Sequence, residues 1–296
     1  MKDLNGKTAL ITGAGSGFGL ELARLCATEG MRLVLVDVQA DALDRVAQEL
    51  AAHTVLAQRV DVSSPAEMQT LAAAVQAHVG APHLVFNNAG VGFGGLIWEA
   101  TVRDWDWVLG VNLMGVVHGV RLFTPMMLEA AQRDPAWQGH IVNTASMAGV
   151  LNAPNMGVYN VSKHAVVSLS ETLHHDLSLV TDQVHCSVLC PYFVPTGIAD
   201  SHRNRDPATM ARPTPSQRIS QAMSSKAVAT GKLSAADVAR LVLDGVRAQA
   251  FWLFSHPQAL GAVSQRADEM VQGRNPGDPF AERPELGQQL RAALRG

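Results

Sequence analysis

The sequence predicts an α/β fold, a doubly wound parallel sheet with helices on both faces, in a single domain. Three observations predict it. Short β-branched runs alternate with longer helical patterns over the first 190 residues. Those runs are apolar at successive positions, as strands covered on both faces must be. The first run also empties into a glycine-rich turn that opens a helix, the hallmark of a strand–helix crossover.

Strands are expected at residues 8–12, 32–37, 53–60, 82–86, 140–144 and 184–189, with helices near 20–28, 42–50, 66–78, 104–131 and 159–180. Ser64-Pro65 followed by Glu67 marks one helix start: an N-cap hydroxyl, proline at the first helical position and an acid in the first turn. The texture changes after Pro191. Five of the fourteen prolines lie in 191–215, and the stretch to Gly231 is polar and weakly periodic. Too little apolar residue is present there for a core, so a mobile, lid-like loop is expected over 192–232. Order resumes at Ser234, an N-cap with Asp237 at the third helical position, heading a helix to about Ala248. A strand at 251–254, a helix near 258–271 and a short terminal helix follow. The organisation expected is one domain over 1–255, carrying the loop, and an extension over 256–296.

Composition narrows the function classes. A chain of 296 residues can bury about three-quarters of its unfolded surface without a staple. With 23 Lys+Arg against 26 Asp+Glu and no basic block, a nucleic-acid partner is not expected. The three cysteines (Cys26, Cys186, Cys190) lack metal or redox spacing and read as reduced core residues. The eleven histidines form no ligand pattern, so no metal is expected. The N-terminus runs into a strand without a signal-peptide core, and no apolar stretch reaches the roughly 18 residues of a membrane span. A soluble, cytoplasmic protein is the expectation.

The glycine turn reads Thr12-Gly13-Ala14-Gly15-Ser16-Gly17-Phe18-Gly19. Glycines let backbone approach a pyrophosphate, and the helix N-terminus supplies unpaired N–H groups and partial positive charge. The second strand ends in Asp37, twenty residues after Gly17, where an acid can accept both hydroxyls of an adenosine ribose. A 2′-phosphate would meet like charge there. No Lys or Arg lies in the turn or directly after Asp37. NAD is therefore the expected cofactor, over NADP. Further along stand Asn88-Ala89-Gly90, Asn112, Ser146, Tyr159 and Lys163. Tyr159 and Lys163 are four apart and share a helix face. An ammonium near a phenol favours the phenolate and makes tyrosine a usable general acid or base. Each residue alone is unremarkable. Their joint occurrence behind a dinucleotide turn is hard to reach by chance.

With these residues the sequence resembles the short-chain dehydrogenase/reductase family, over about residues 5–196 and more weakly to about 255. The motifs are Thr12-Gly13-x-x-x-Gly17-x-Gly19, Asp61 after the third strand, Asn87-Asn88-Ala89-Gly90, Asn112, Ser146 and Tyr159-x-x-x-Lys163. The resemblance implies a Rossmann-like fold and a tetrad of Asn112, Ser146, Tyr159 and Lys163. Tyr159 would transfer the proton and Ser146 orient the substrate oxygen. Lys163 would bind the nicotinamide ribose and lower the tyrosine pKa, and Asn112 would hold a relay water. It further implies that Asp61 and Val62 contact adenine, that Asn88 steadies the central sheet, and that the chain forms a homodimer or homotetramer through its long helices. After the sixth strand the family has Pro-Gly, a spacer and Thr. This chain has Pro191-Tyr192-Phe193-Val194-Pro195-Thr196, keeping Pro191, Val194 and Thr196 for the nicotinamide amide and replacing the glycine with Tyr192.

Positions expected to flank the reacting carbon are Phe93, Met147, Ala148, Pro154, Met156, Tyr192 and Phe193, although Met and Phe could equally be core. Residues 197–232 hold six basic side chains against two acids, and one of the arginines could meet an anionic group on the substrate as the loop closes. The segment Asp104–Asn112 resembles family members that oxidise benzylic secondary alcohols. The function these observations favour is an NAD-dependent interconversion of a secondary alcohol and a ketone. The alternatives are a reductase or dehydratase-epimerase on sugar or carrier-bound acyl groups, and a dinucleotide-sensing regulator without chemistry.

Overall fold

The computed structural model describes residues 1–295. All its strands, among the described residues, join one parallel sheet: β1 (Thr8–Thr12), β2 (Arg32–Asp37), β3 (Thr54–Arg59), β4 (Leu84–Asn87), β5 (Gly139–Thr144), β6 (Val184–Cys190) and β7 (Trp252–Phe254). Their order is β3-β2-β1-β4-β5-β6-β7. The winding direction reverses between β1 and β4, which opens a crevice at the carboxyl ends of the strands, the place where open α/β sheets bind ligands.

β1 and β4 through β6 are buried at nearly every position, as the continuous apolar runs required. β3 departs from that expectation. It is the sheet edge, and its side chains are half-buried or exposed. Helices α1 (Gly17–Thr28) and α8 (Ala235–Ala248) cover one face, with Leu22, Val238, Val242 and Val246 packed on Ile11 and Leu35. On the other face lie α3 (Pro65–Val79), α5 (Gly115–Arg133) and α6 (Gly157–Val180), with Met68, Leu71, Phe123, Met127 and Leu177 against Leu10, Val34 and Val85. Helix α2 (Ala40–Glu49) packs beside β2 and β3. The Ser64 hydroxyl accepts from the Glu67 amide, the cap read from the sequence.

The single helix expected over 104–131 is three pieces: α4 (Val102–Leu109), a π-helical turn over Gly110–Met114, and α5. Asn112 sits in that widened turn. The run Val102–Arg133 is long and apolar enough, by composition, to cross a membrane, contrary to the expectation that no stretch is. Its apolar residues Val116, Leu122, Phe123 and Met127 are spent on the core.

The larger correction lies after Pro191. The segment expected as a loop contains a 3₁₀ stretch over Gly197–Asn204, a 3₁₀ turn over Pro207–Thr209 and helix α7 (Pro215–Ala229). Helix α7 starts with Thr214 and Gln217 in a reciprocal capping box and Pro215 at the first position. Its buried face is Ser216, Ser220 and Val228, which gives almost no apolar periodicity. Small hydroxyl side chains let it dock close on Gly94 and Gly95, whose backbone leaves no room for a Cβ against Ser220 and Gln217. Helices α9 (Leu260–Val271) and α10 (Pro284–Arg295) complete the extension.

Candidate active site

A cleft of about 860 Å³ runs along the carboxyl ends of β1, β2, β4 and β5, under residues 196–209. Gly13, Ser16, Gly17 and Phe18 form one wall. Asp37, Asp61 and Val62 stand at one end, Asn88, Ala89 and Gly90 on the floor, and Lys163, Pro191 and Thr196 at the other end. The glycine turn is a cradle closed to side chains. A Cβ on Gly19 would lie 2.0 Å from the Gly13 carbonyl oxygen, and one on Gly13 (φ +67°) would lie 2.9 Å from Ala89 Cα. A Cβ on Gly15 would meet the Asp37 carboxylate at 2.9 Å. That packing leaves the amides at the start of α1 open to the cleft, so the residues present fit a dinucleotide.

Asp37 is held by two amides: its carboxylate accepts from Gly15 N at 2.8 Å and from Gln39 N at 2.9 Å. Sequence reasoning missed a neighbour. Arg59 pairs with Asp37 across β2 and β3, and its Nε donates to the Val38 carbonyl at 3.1 Å. The strand register sets Arg59 opposite Asp37, a signal that becomes readable only once β3 is aligned. Asp61 accepts from the Ser63 amide and hydroxyl. Asn88 sits as expected, its Nδ2 donating to the Thr12 carbonyl at 3.0 Å while its amide donates to Thr12 Oγ1 at 2.9 Å. This ties β4 to β1 at the crevice.

The tetrad residues come together where β4, β5, α5 and α6 meet. Lys163, fully buried on α6, donates from Nζ to the Thr144 carbonyl at the end of β5 at 2.9 Å, and lies 5.7 Å from the Tyr159 ring centroid. A Cβ on Gly90 would lie 3.4 Å from Asn112 Oδ1 and 3.6 Å from Lys163 Nζ, so the three are neighbours. Ser146 follows β5, with Oγ accepting from the Ala148 amide and donating to the Pro191 carbonyl at 3.4 Å. Asn112 is wholly buried, its Oδ1 accepting from Val91 N at 2.8 Å and its Nδ2 donating to the Val91 carbonyl and Ser162 Oγ. Its side chain is thus committed to fixing the 88–91 segment against α6.

Burial pushes the Tyr159 hydroxyl above its ordinary value, and a hydrogen bond with Ser146 pulls the other way. Burial also lowers Lys163, to about 8. A buried ammonium this short of solvent is a strained charge.

The residues expected to flank the reacting carbon lie as follows. Met147 is core, packed with Val116, Val166 and Val188. Phe93 lies against Val91, Val108 and Val158. Met156 caps the start of α6 and bridges Gly95. Tyr192 is 46% exposed, its ring 4.6 Å from Phe193 and 5.7 Å from His256, with its amide on Ser255 Oγ. It faces the C-terminal extension. Val194 is buried behind the glycine turn, while Thr196 packs on Gly17. Among the described residues none of Phe93, Met147, Met156, Tyr192 or Phe193 lines the cleft.

The residues that do close the cleft come from the lid. Ser201 Oγ accepts from Gly92 N at 2.9 Å, and Ile198 O lies against Gly92. Further on, Arg205 reaches α4: its Nη1 bonds Asp104 at 2.5 Å and its guanidinium sits 5.2 Å from the Trp107 ring centroid. Both partners are buried, 8% and 4% exposed. Burial opposes ionisation of Asp104, but Arg205 and the Thr101 amide and hydroxyl together hold its carboxyl below the usual range. Residues 101 apart carried no pairing signal in the sequence.

Comparison with known proteins agrees with this geometry. Residues 7–207 match the family model for short chain dehydrogenases. A CLA biosynthesis dehydrogenase/reductase of Lactiplantibacillus plantarum is 31% identical over 92% of this chain and 95% of its own. A C alpha-dehydrogenase of Sphingobium is 28% identical over 92% of this chain and 87% of its own. The crystal structure of a short-chain dehydrogenase/reductase from Burkholderia phymatum in complex with NAD is 49% identical, covering 95% of this chain and 100% of that one, with a TM-score of 0.90. A seven-stranded parallel sheet, a side-chain-free glycine cradle and a tyrosine–lysine pair at the strand ends accompany that match: the chain belongs to the short-chain dehydrogenase/reductase family.

Proposed function

We propose that the protein is an NAD-dependent oxidoreductase that interconverts a secondary alcohol and a ketone. The observation that carries this reading is that Tyr159 is hydrogen-bonded with Ser146 and has Lys163 5.7 Å from its ring centroid, while Lys163 also lines a dinucleotide-shaped cleft. Bound NAD supplies the acceptor for the two electrons leaving the alcohol carbon. Ser146 holds the substrate oxygen, and Tyr159 takes its proton at the phenolic oxygen. Lys163 binds the nicotinamide ribose with the donors that Thr144 leaves free. Asn112, its side chain held by Val91 and Ser162, would position a relay water. Asp37 favours NAD, because a 2′-phosphate would bring like charge against its carboxylate. The NAD complex of the Burkholderia relative supports the cofactor, and similarity to a C alpha-dehydrogenase supports an alcohol substrate. A pure dinucleotide sensor would ask nothing of Tyr159. The apolar surface that Val161, Leu179 and Val180 expose on α6 supports a homodimer or homotetramer.

The test is NADH formation from a panel of aryl and alkyl secondary alcohols. Tyr159→Phe should lose at least about a thousandfold in kcat, within the range that general acid–base catalysis contributes, while its Kd for NADH stays unchanged. Oxidation by the wild type should accelerate with pH through the ordinary tyrosine range, since the hydroxyl is raised above it. A mutant as active as wild type, or a flat profile with chemistry rate-limiting, refutes the assignment.

A further inference from the structure

Two arginines of the lid line the cleft. Arg205 is fully engaged by Asp104 and Trp107. Arg203 is different. Its Nη1 donates to the Gly197 carbonyl at 2.8 Å, and a Cβ on Gly197 would come 3.0 Å from its Nη2. Among the described residues it makes no ion pair with a carboxylate. Gly197 follows Thr196, and Thr196 packs on Gly17: a Cβ there would lie 3.3 Å from Thr196 Cβ. Gly17 opens α1, and with Ser16 and Phe18 it lines the cleft that Arg203 also lines. A guanidinium without a carboxylate partner therefore shares the cleft wall with the glycine turn and the start of α1, whose first amides have no side-chain cap.

Resting on the dinucleotide reading above, we propose that Arg203 is a cofactor-binding residue whose guanidinium pairs with the pyrophosphate from the lid side. The pyrophosphate would then be gripped from both walls: α1 amides beneath and Arg203 above. The guanidinium's planar fork suits that role, since one amino group can keep Gly197 while the other takes a phosphate oxygen. Carboxylates facing the cleft are otherwise occupied near this point. Asp37 holds the Gly15 and Gln39 amides, and Asp206 caps the Ala208 amide. Arg103 and Lys163, also in the wall, add to the positive potential, while Asp61 and Asp106 oppose it. The anion that the basic lid awaits is, on this geometry, on the cofactor. The reacting end of the substrate lies at Ser146 and Tyr159, which are not among the residues lining the cleft beneath Arg203.

The experiment titrates ADP-ribose and NADH into the wild type, Arg203→Ala, Arg203→Lys and Arg218→Ala by calorimetry, at two salt concentrations. Arg218 is an exposed arginine of α7 that bonds the Pro213 carbonyl, away from the cleft. Arg203→Ala should weaken both ligands by about tenfold or more, as expected for a lost charge-assisted hydrogen bond. Its affinity should also depend less on salt. Arg203→Lys should recover part of the loss, and Arg218→Ala should match wild type. Hydrogen exchange supplies a second readout: ADP-ribose should protect residues 197–209 in the wild type and fail to do so in Arg203→Ala. An Arg203→Ala protein that binds ADP-ribose with wild-type affinity, or whose lid is still protected, overturns the proposal and leaves the dinucleotide reading intact. A wild type that binds neither ligand overturns both.

Discussion

Replacing Lys163 by methionine should abolish turnover and stabilise the protein lacking cofactor. Burial lowers the lysine from 10.5 to about 8. That difference corresponds to about 3 kcal/mol of destabilisation at neutral pH. Methionine fills similar space without the charge, and the lost bond to the Thr144 carbonyl returns about 1 kcal/mol. A net gain of about 2 kcal/mol remains, which raises Tm by about 4 °C at about 2 °C per kcal/mol for a chain of this size. The pH dependence is the sharper measurement. An unfolded lysine keeps its proton to 10.5, whereas the folded one releases it near about 8. Between those values the unfolded state binds more protons, so wild-type stability from this group rises with pH. By pH 9 the wild type regains about 1 kcal/mol, and the advantage of the variant shrinks to about 1 kcal/mol, or about 2 °C. Differential scanning calorimetry of both proteins at pH 7 and pH 9, without cofactor, reads this directly. The difference between the two proteins cancels the cysteine thiols, which also titrate differently in the folded chain. A gap that is the same at both pH values, or a variant less stable at pH 7, refutes the claim that this lysine is held as a strained buried charge.

Asp37→Ser should raise kcat/KM for NADPH relative to NADH by about tenfold or more, since removing one desolvated like charge is worth at least about 1.4 kcal/mol and Arg59 already lies beside the site; an unmoved ratio would show that Asp37 does not set the preference. Asp104→Asn should leave Arg205 buried without its counter-charge, costing about 3–5 kcal/mol at the lid; trypsin should then cut within residues 203–218 faster than in wild type. The double variant Asp104→Asn, Arg205→Met should restore most of the resistance, and equal sensitivity of single and double variants would mean that the pair does not hold the lid.

The sheet was legible because its signal is dense. β1 and β2 are apolar at every position between polar ends, and the structure begins and ends them where the sequence does. The glycine turn was legible for a different reason: at Gly13 and Gly19 any side chain would collide with backbone, so chemistry dictates the residue. Tyr159 and Lys163 were legible as a pair because helical spacing alone puts them on one face. Helix α7 was missed although Thr214-Pro215-x-Gln217 repeats the start signal recognised at Ser64-Pro65-x-Glu67. Its face toward the protein is serine, and a reading tuned to apolar periodicity passes over a helix that docks through hydroxyls on glycines. The contacts of Tyr192 with Ser255 and His256 were not legible, because they come from the far end of the chain.

The lid's two anchors are unequal, and this inequality bears on how the site works. At one end stands a single amide–hydroxyl bond, Gly92 to Ser201. At the other is a buried ion pair reinforced by an aromatic face. Opening the first breaks one neutral hydrogen bond, worth about 1 kcal/mol, while opening the second gives up a charge-assisted bond and an aromatic contact, a larger cost. On these costs the Ser201 end is expected to open first, with Arg205 as the fixed end. Gly92 adjoins Val91, which Asn112 holds, so this is the end beside the tetrad. A lid that lifts there would admit and release a substrate at Tyr159 while Arg203, two residues from the fixed Arg205, keeps its place in the cleft wall. Cofactor retention and substrate exchange then draw on different anchors of one strap, so weakening the Asp104–Arg205 pair should affect the dinucleotide first.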